Sequence, residues 1–185
     1  MCPMKPMVSR RQVLAAAGTL AVGLPARKPR AQQLDDLPGA LKLTEPPVPA
    51  PAISFVAADG SEHRLTEFLG HGMVVNLWAT WCAPCVAEMP SLAALSKTLA
   101  PDDIAVLPLS SDRGGASAVE AFYKQHDITG LPVLLDPKGA AAHAWNARGI
   151  PTSLVIDRHG RERARLEGSA DWSTPAAAAL VRKLI

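Results

Sequence analysis

Residues 73–85 read MVVNLWATWCAPC and contain two cysteines, Cys82 and Cys85, with two residues between them. The first six residues form a short, β-branched and nearly all apolar run, which predicts a buried parallel strand. From Val86 to Ala100, apolar residues recur with the spacing of an amphipathic helix. The cysteine pair therefore lies where a strand passes into the N-terminus of a helix.

This position predicts the chemistry of the pair. The first turn of a helix has free N–H groups and a partial positive charge, which favour a thiolate over a thiol. Cys82 is therefore predicted to be the exposed nucleophile, and Cys85, one turn deeper on the same side, to be the resolving thiol. Such a pair can cycle between dithiol and disulfide through a mixed disulfide.

Two other interpretations of the cysteine pair are weaker. It could be half of a zinc site, but the sequence has no second C-x-x-C and no H-x-x-x-H. It could be an inert structural disulfide, but closing so small a loop gains little stability. The remaining cysteine is Cys2, far away in the sequence. We therefore expect a redox-active disulfide, with neither a metal nor a cofactor.

The first 31 residues have the layout of a secretory signal. An Arg10-Arg11 pair precedes a mildly hydrophobic stretch, Val13 to Leu24, and a basic patch with small residues follows. The arginine pair resembles a twin-arginine signal. The apolar run is shorter than the about 20 residues of a membrane-spanning helix. We therefore expect cleavage near Ala26 or Ala31 and a periplasmic protein rather than a membrane-anchored one.

The basic charge of the chain belongs to this segment. The chain has 19 Lys+Arg against 17 Asp+Glu, but six of the basic residues and none of the acidic ones precede Gln32. Residues 32–185 are therefore net acidic, with 13 basic against 17 acidic residues. This charge gives no support to nucleic-acid binding.

The chain after the signal is predicted to have two parts. Residues 32–52 are rich in proline, which predicts an extended, stiff linker of polyproline type. Residues 53–185 are predicted to form one domain. It begins with a β-hairpin, because Ile53–Val56 and Glu62–Leu65 flank the turn pair Asp59-Gly60.

Further elements follow the cysteine helix. We expect strands at residues 104–109 and 133–135, helices at 116–126 and 140–147, then a hairpin and a final helix at 175–184. Pro108 near the end of its strand predicts a sheet edge or a locally interrupted ladder. Pro151, which opens a strand, is a candidate cis-proline.

Two polar residues near the cysteines are open to more than one interpretation. Asn76 lies in the apolar strand, and a buried asparagine must be hydrogen-bonded, so we expect it to hold neighbouring backbone. Glu88 follows Cys85 by three residues on the same helical face. It could be an exposed acid, or a partly buried carboxyl with a raised pKa that exchanges a proton with Cys85.

The order of elements resembles the thioredoxin fold, an α/β fold whose central mixed sheet is flanked by helices, here with an N-terminal β-hairpin extension. NLWATWCAPC at residues 76–85, followed by Glu88-Met89-Pro90, is similar to the TlpA/ResA branch of extracytoplasmic thiol–disulfide oxidoreductases, as is PVLLD at residues 132–136. The Gly-x-x-x-Trp pattern at residues 168–172 is similar to TlpA in particular. The resemblance covers residue 53 to the C-terminus.

This resemblance implies roles for individual residues. Cys82 would attack, Cys85 would resolve, Glu88 would be the buried acid near the active site, and Pro151 would be the cis-proline. The residues predicted to contact the substrate are Trp81, Ala83, Pro84 and Ile150.

The resemblance also implies an activity and partners. The protein would reduce disulfides of client proteins, such as apocytochrome c or proteins that assemble the copper site of respiratory oxidases. Its electrons would come from a membrane donor of the CcdA or DsbD type.

Two other functions remain as alternatives. A Sco-like copper chaperone resembles this fold but needs a longer cysteine spacing and a specific histidine, and no histidine here matches. A peroxiredoxin-type thiol peroxidase needs a P-x-x-x-T-x-x-C arrangement, whereas Thr80 precedes Cys82 by only two residues.

Overall fold

The computed structural model describes Met1 and residues 37–185. Residues 2–31 of the predicted signal segment lie outside the described residues. Cleavage of this segment stays a prediction. The strands are β1 Lys42–Pro49, β2 Ser54–Ala57, β3 Glu62–Arg64, β4 Gly72–Trp78, β5 Ile104–Ser110, β6 Leu134–Leu135, β7 Thr152–Ile156 and β8 Arg161–Glu167. The α-helices are α1 Leu37–Ala40, α2 Ala83–Leu99, α3 Gly115–Gln125, α4 Ala140–Ala144 and α5 Pro175–Leu184.

All eight strands join one mixed sheet in the order β1-β8-β7-β4-β5-β6-β2-β3. β4, β5 and β6 run parallel, and the other neighbouring pairs are antiparallel. Every residue of β4 is buried, as expected for a strand that is covered on both faces. The cysteines therefore follow directly after a strand that is buried on both faces.

The two faces of the sheet carry separate hydrophobic cores. Successive residues of a strand point to opposite faces, so β4 contributes to both. Val74 and Trp78 pack with residues of α2, α3 and α5. Met73, Val75 and Leu77 pack with residues of β2 and α4. The predicted α/β class, a mixed sheet flanked by helices, is confirmed.

The predicted N-terminal hairpin is also confirmed. β2 pairs with β3 through Ser54↔Arg64 and Val56↔Glu62. β2 also pairs with β6 through Val56↔Leu135, so the hairpin extends the central sheet instead of standing apart from it.

Residues 32–52, predicted to be an extended linker, contain part of the folded domain. Within it, Lys42–Pro49 forms the edge strand β1, antiparallel to β8. Leu37 and Leu41 are only 1% and 9% exposed. An edge strand tolerates prolines because one of its sides needs no N–H donors, and the pairing is irregular between Leu43 and Val48, where Pro46 and Pro47 lie.

Pro108 lies beside a locally interrupted ladder, the second of the two possibilities that the sequence left open, and not at a sheet edge. β5 is an interior strand, paired with β4 along its whole length. On its other side it pairs with β6 only at Leu109 and Ser110. The ladder on that side is therefore interrupted up to Pro108, where a missing N–H costs little.

Among the described residues, no helix has the length and apolar character needed to cross a bilayer.

The burial of Leu37 predicts that the segment before the hairpin stabilises the domain. Leu37→Ala should lower the free energy of unfolding by about 2 kcal/mol or more, because it removes a fully buried side chain. Leu43→Ala is the matched control: Leu43 is 56% exposed, and its replacement should change stability by less than about 0.5 kcal/mol. Urea denaturation of the full chain measures both. Equally small effects would mean that residues 37–49 act as a detached linker.

Candidate active site

Cys82 and Cys85 form a disulfide with their Cα atoms 5.2 Å apart. Cys82 is the N-cap of α2, where its Sγ accepts the backbone N–H of Cys85 at 3.3 Å. The helix begins at Ala83, three residues earlier than the apolar spacing indicates, and Pro84 lies in its first turn. Proline fits there because the first-turn N–H groups have no intrahelical partner.

The two cysteines differ less in exposure than expected. Cys82, predicted to be the exposed thiol, is only 7% exposed, and Cys85 is fully buried. The carbonyl oxygen of Ile150 lies 3.6 Å from Cys82 Sγ and covers part of it. The Ile150–Pro151 peptide bond is cis, as the sequence indicated. Only a small opening in the surface therefore exposes Cys82 to solvent.

The residues predicted to contact substrate surround this opening. Trp81 is 70% exposed, the largest exposed aromatic side chain beside the disulfide. Ala83 is exposed, and Pro84 and Ile150 are half-buried. The structure therefore brings together the residues that the resemblance selected, and their contact with substrate stays a prediction.

The sequence left open whether Glu88 is an exposed acid or a buried carboxyl, and the structure shows that it is buried. Its side chain has no exposed surface. Asn76 Nδ2 donates to Oε1 at 2.8 Å, and the N–H of Ala170 donates to Oε2 at 3.2 Å. Burial raises the pKa of Glu88 to about 7, although these two hydrogen bonds oppose the rise. Its exchange of a proton with Cys85 stays a prediction.

Asn76 forms hydrogen bonds with two side chains that the sequence did not indicate. Its amide donates to the side chains of Glu88 and Ser153, the second at 2.9 Å, and not to backbone as expected. Asn76 on β4 and Ser153 on β7 are direct neighbours in the strand register. The polar residues of two otherwise apolar strands, Asn76 in β4 and Thr152-Ser153 in β7, were the available signal, but their pairing could be recognised only once the strand register was known.

The Gly168 to Trp172 segment closes over Glu88. In addition to the Ala170 bond, the N–H of Trp172 donates to Ser91 Oγ on α2 at 3.1 Å. The Trp172 side chain is completely buried. The pattern that the sequence singled out therefore attaches the chain before α5 to the helix that carries the disulfide.

Asp112, after β5, is a second residue whose role the sequence did not show. It accepts the N–H of Thr80 at 2.9 Å and the hydroxyl of Thr80 at 2.6 Å. The hydroxyl of Ser110 also donates to it at 2.7 Å. These bonds fix the turn that leads from β4 to Cys82.

A disulfide at the N-cap of a helix that follows the central strand, faced by a cis-proline, defines a thiol–disulfide oxidoreductase of the thioredoxin fold. Proteins of this class act on the thiols and disulfides of client proteins. A protein-family model described as Redoxin matches residues 46–181, so the chain belongs to the Redoxin family.

Curated relatives agree with this class. The chain is 32% identical over 120 residues to the thiol-disulfide oxidoreductase ResA of Geobacillus kaustophilus, covering 64% of this chain and 68% of that protein. It is 35% identical over 113 residues to the thioredoxin-like protein YneN of Bacillus subtilis, covering 60% and 65%. The predicted membership of the ResA type is confirmed, and the closer likeness to TlpA stays a prediction.

Solved structures are similar as well. A thiol:disulfide interchange protein of the thioredoxin family from Chlorobium tepidum is 27% identical, with a TM-score of 0.61 over 75% of this chain and 98% of that one. The exposed lipoprotein thioredoxin of Streptococcus pneumoniae is 27% identical, with a TM-score of 0.59 over 72% and 98%.

The raised pKa of Glu88 predicts how stability depends on pH. Between pH 4.5 and about 7 the folded state keeps a proton that the unfolded state loses, so Glu88 lowers stability as pH rises through this range. Glu88→Gln removes this loss. The variant should therefore gain about 3 kcal/mol relative to the wild type between pH 4.5 and 8, measured by urea denaturation of the oxidised protein.

Glu67→Gln is a control of opposite sign. The hydrogen bond from His63 lowers the pKa of Glu67 below its ordinary value of 4.5. This variant should therefore lose stability relative to the wild type as pH rises toward 4.5, and run parallel to it between pH 4.5 and 8. A Glu88→Gln variant whose stability runs parallel to that of the wild type over the whole range would contradict the assignment.

Proposed function

We propose that this chain is a periplasmic reductase of client disulfides in the maturation of cytochrome c or of the copper site of cytochrome oxidase. The observation that carries the proposal is the fully buried Glu88, one helical turn beyond Cys85. Similarity to ResA supports the same choice. The predicted signal segment, and a relative whose name describes an exposed lipoprotein, support a location outside the cytoplasm.

The reduced protein would act in two steps. The Cys82 thiolate attacks one sulfur of the client disulfide, forming a mixed disulfide, and the other client sulfur leaves as a thiolate that takes up a proton. Cys85 then loses its proton to the Glu88 carboxylate and attacks Cys82 Sγ. This second attack closes the Cys82–Cys85 disulfide and releases the second client thiolate, so that two electrons pass to the client.

The environment of Glu88 suits the second step. A base accepts and returns a proton most effectively when its pKa is near the working pH. The pKa of Glu88 is about 7 because the carboxyl is buried. Cys85 has no exposed surface, so bulk water cannot take its proton directly. A carboxyl buried on the same helical face is therefore the group available to do so.

Client binding would use the rim of the opening. The Ile150 carbonyl lies beside Cys82 Sγ, where it can accept a hydrogen bond from an extended client segment in the manner of an added strand. Trp81 would cover the client on the opposite side, and Ala83 and Pro84 would form the floor between them. Each turnover leaves the protein oxidised, so a membrane donor of the CcdA or DsbD type would return the two electrons.

The proposal predicts a low reduction potential for the Cys82–Cys85 pair, because a reductase must hold its electrons less tightly than its clients do. Equilibration of the chain starting at Gln32 with a thiol buffer should give a value near the thioredoxin end of the range, about −270 mV. A value near about −120 mV would mean an oxidant. The absence of a two-electron transition would favour the copper-chaperone alternative, which copper titration of the reduced form tests.

The complete burial of Cys85 predicts which variant traps a client. Cys85→Ser should accumulate a mixed disulfide through Cys82, because the resolving thiol is missing. Cys82→Ser is the matched control and should trap none, because Cys85 is fully buried. Mass spectrometry after incubation with an oxidised client protein measures both adducts. Trapping by the Cys82→Ser variant would show that the assigned order of the thiols is reversed.

A further inference from the structure

An open cleft lies against Trp81, the residue before Cys82, at one edge of the sheet. β4, β5 and β6 are parallel neighbours, so the loops after them meet at their carboxyl ends, where α/β sheets bind ligands. These three loops supply Trp81, Arg113 and Lys138, which line a cleft of about 650 Å³. None of the site chemistry described above uses the two cations.

Neither cation has a partner in the described part of the chain. Six of the eight arginines in residues 37–185 lie within 4 Å of a carboxylate, but Arg113 does not, nor does Lys138. Both residues are exposed. Long cationic side chains left unpaired at the wall of a cleft attract an anion and raise its local concentration.

The one acid in the wall, Asp112, forms no ion pair with either cation, and its single negative charge against two positive ones leaves the cleft net positive. Asp112 is only 4% exposed, and both of its carboxylate oxygens accept hydrogen bonds from Thr80 or Ser110. Residues 32–185 as a whole are net acidic, so a positive cleft does not follow from the overall charge. It is a local feature beside the reactive sulfur.

The strand spacing fixes how far the cleft lies from Cys82. Adjacent strands are about 4.8 Å apart, so the loops after β5 and β6 lie roughly 5 and 10 Å from the loop that carries Trp81. An extended chain advances about 3.3 Å per residue. A client whose cysteine reacts with Cys82 would therefore place a side chain two to four residues away over Arg113 and Lys138.

We propose that the cleft between Trp81, Arg113 and Lys138 binds an acidic side chain of the client polypeptide, about three residues from the client cysteine that reacts with Cys82. The proposal rests on the proposed function and adds a sequence preference to it. The guanidinium of Arg113 suits a carboxylate because its fork can donate two parallel hydrogen bonds. Trp81 would cover the intervening client residues.

The test uses short peptides whose single cysteine forms a mixed disulfide with 2-thiopyridine, a neutral leaving group. Peptides carry Glu, Gln or Lys three residues before or after that cysteine. Attack by reduced Cys82 releases the chromophore, which gives the second-order rate constant for each peptide with the full chain. The wild type should react with one of the Glu peptides about tenfold faster than with its Lys counterpart at low ionic strength, and added salt should reduce this ratio.

Charge reversal at the cleft should invert the preference. Arg113→Glu/Lys138→Glu should react faster with the Lys peptide. Lys124→Glu/Lys183→Glu is the matched control. Both lysines are exposed, Lys124 on α3 and Lys183 on α5, neither lines the cleft, and the change in net charge is the same. The control should keep the preference of the wild type. Ratios within each variant cancel any change in the reactivity of Cys82 itself.

The outcomes separate the two proposals. Rates that are equal for Glu, Gln and Lys peptides, or a preference that survives reversal at Arg113 and Lys138, would overturn the acidic-client proposal while leaving the reductase intact. Failure of the reduced wild type to react with any peptide would overturn the proposed function as well.

Discussion

The buried carboxyl of Glu88 is the constraint on which the arrangement of the site depends. A carboxyl removed from water costs several kcal/mol unless hydrogen bonds replace its hydration or it takes up a proton. Here Asn76 and the N–H of Ala170 supply those bonds from β4 and from the segment before α5. Asn76 extends the link to Ser153 on β7. One side chain on α2 thus connects the helix of the disulfide to three other parts of the chain.

This arrangement couples the acidity of the site to its packing. A change that loosens β4, β7 or the segment around Ala170 would admit water and lower the pKa of Glu88 toward its ordinary value, because burial is what raises it. The completely buried side chain of Trp172 acts in the same direction by closing the site from outside. The stability of the domain and the pKa of Glu88 therefore depend on the same contacts.

The sequence was sufficient for the main features that depend on local pattern. The β4 run, the cysteine spacing and Pro151 predicted the strand, the disulfide and the cis peptide, because each is determined by residues close together in the chain. Features that depend on distant contacts were missed. Asn76 could not be paired with Ser153 before the register of β4 and β7 was known, since 77 residues separate them.

Two other differences have the same origin. The proline-rich segment looked like a linker because its composition disfavours interior strands, yet an edge position beside β8 removes that objection. Cys82 looked exposed because it precedes a helix, yet the Ile150 carbonyl, 68 residues away, covers it. In both cases the residues have the local preference that the sequence indicates, but contact with a distant part of the chain determines their structure.

In the proposed mechanism, the thiol chemistry and the recognition of clients use different residues. Cys85 and Glu88 have no exposed surface, so their environment is the same whichever client is bound. Trp81 and Arg113 stand on loops at the strand ends, where substitutions are tolerated without disturbing a core. In the proposed mode of binding, a client held at the Ile150 carbonyl would also extend across these loops. Selectivity can therefore be set at the rim while the thiol chemistry beneath it stays unchanged.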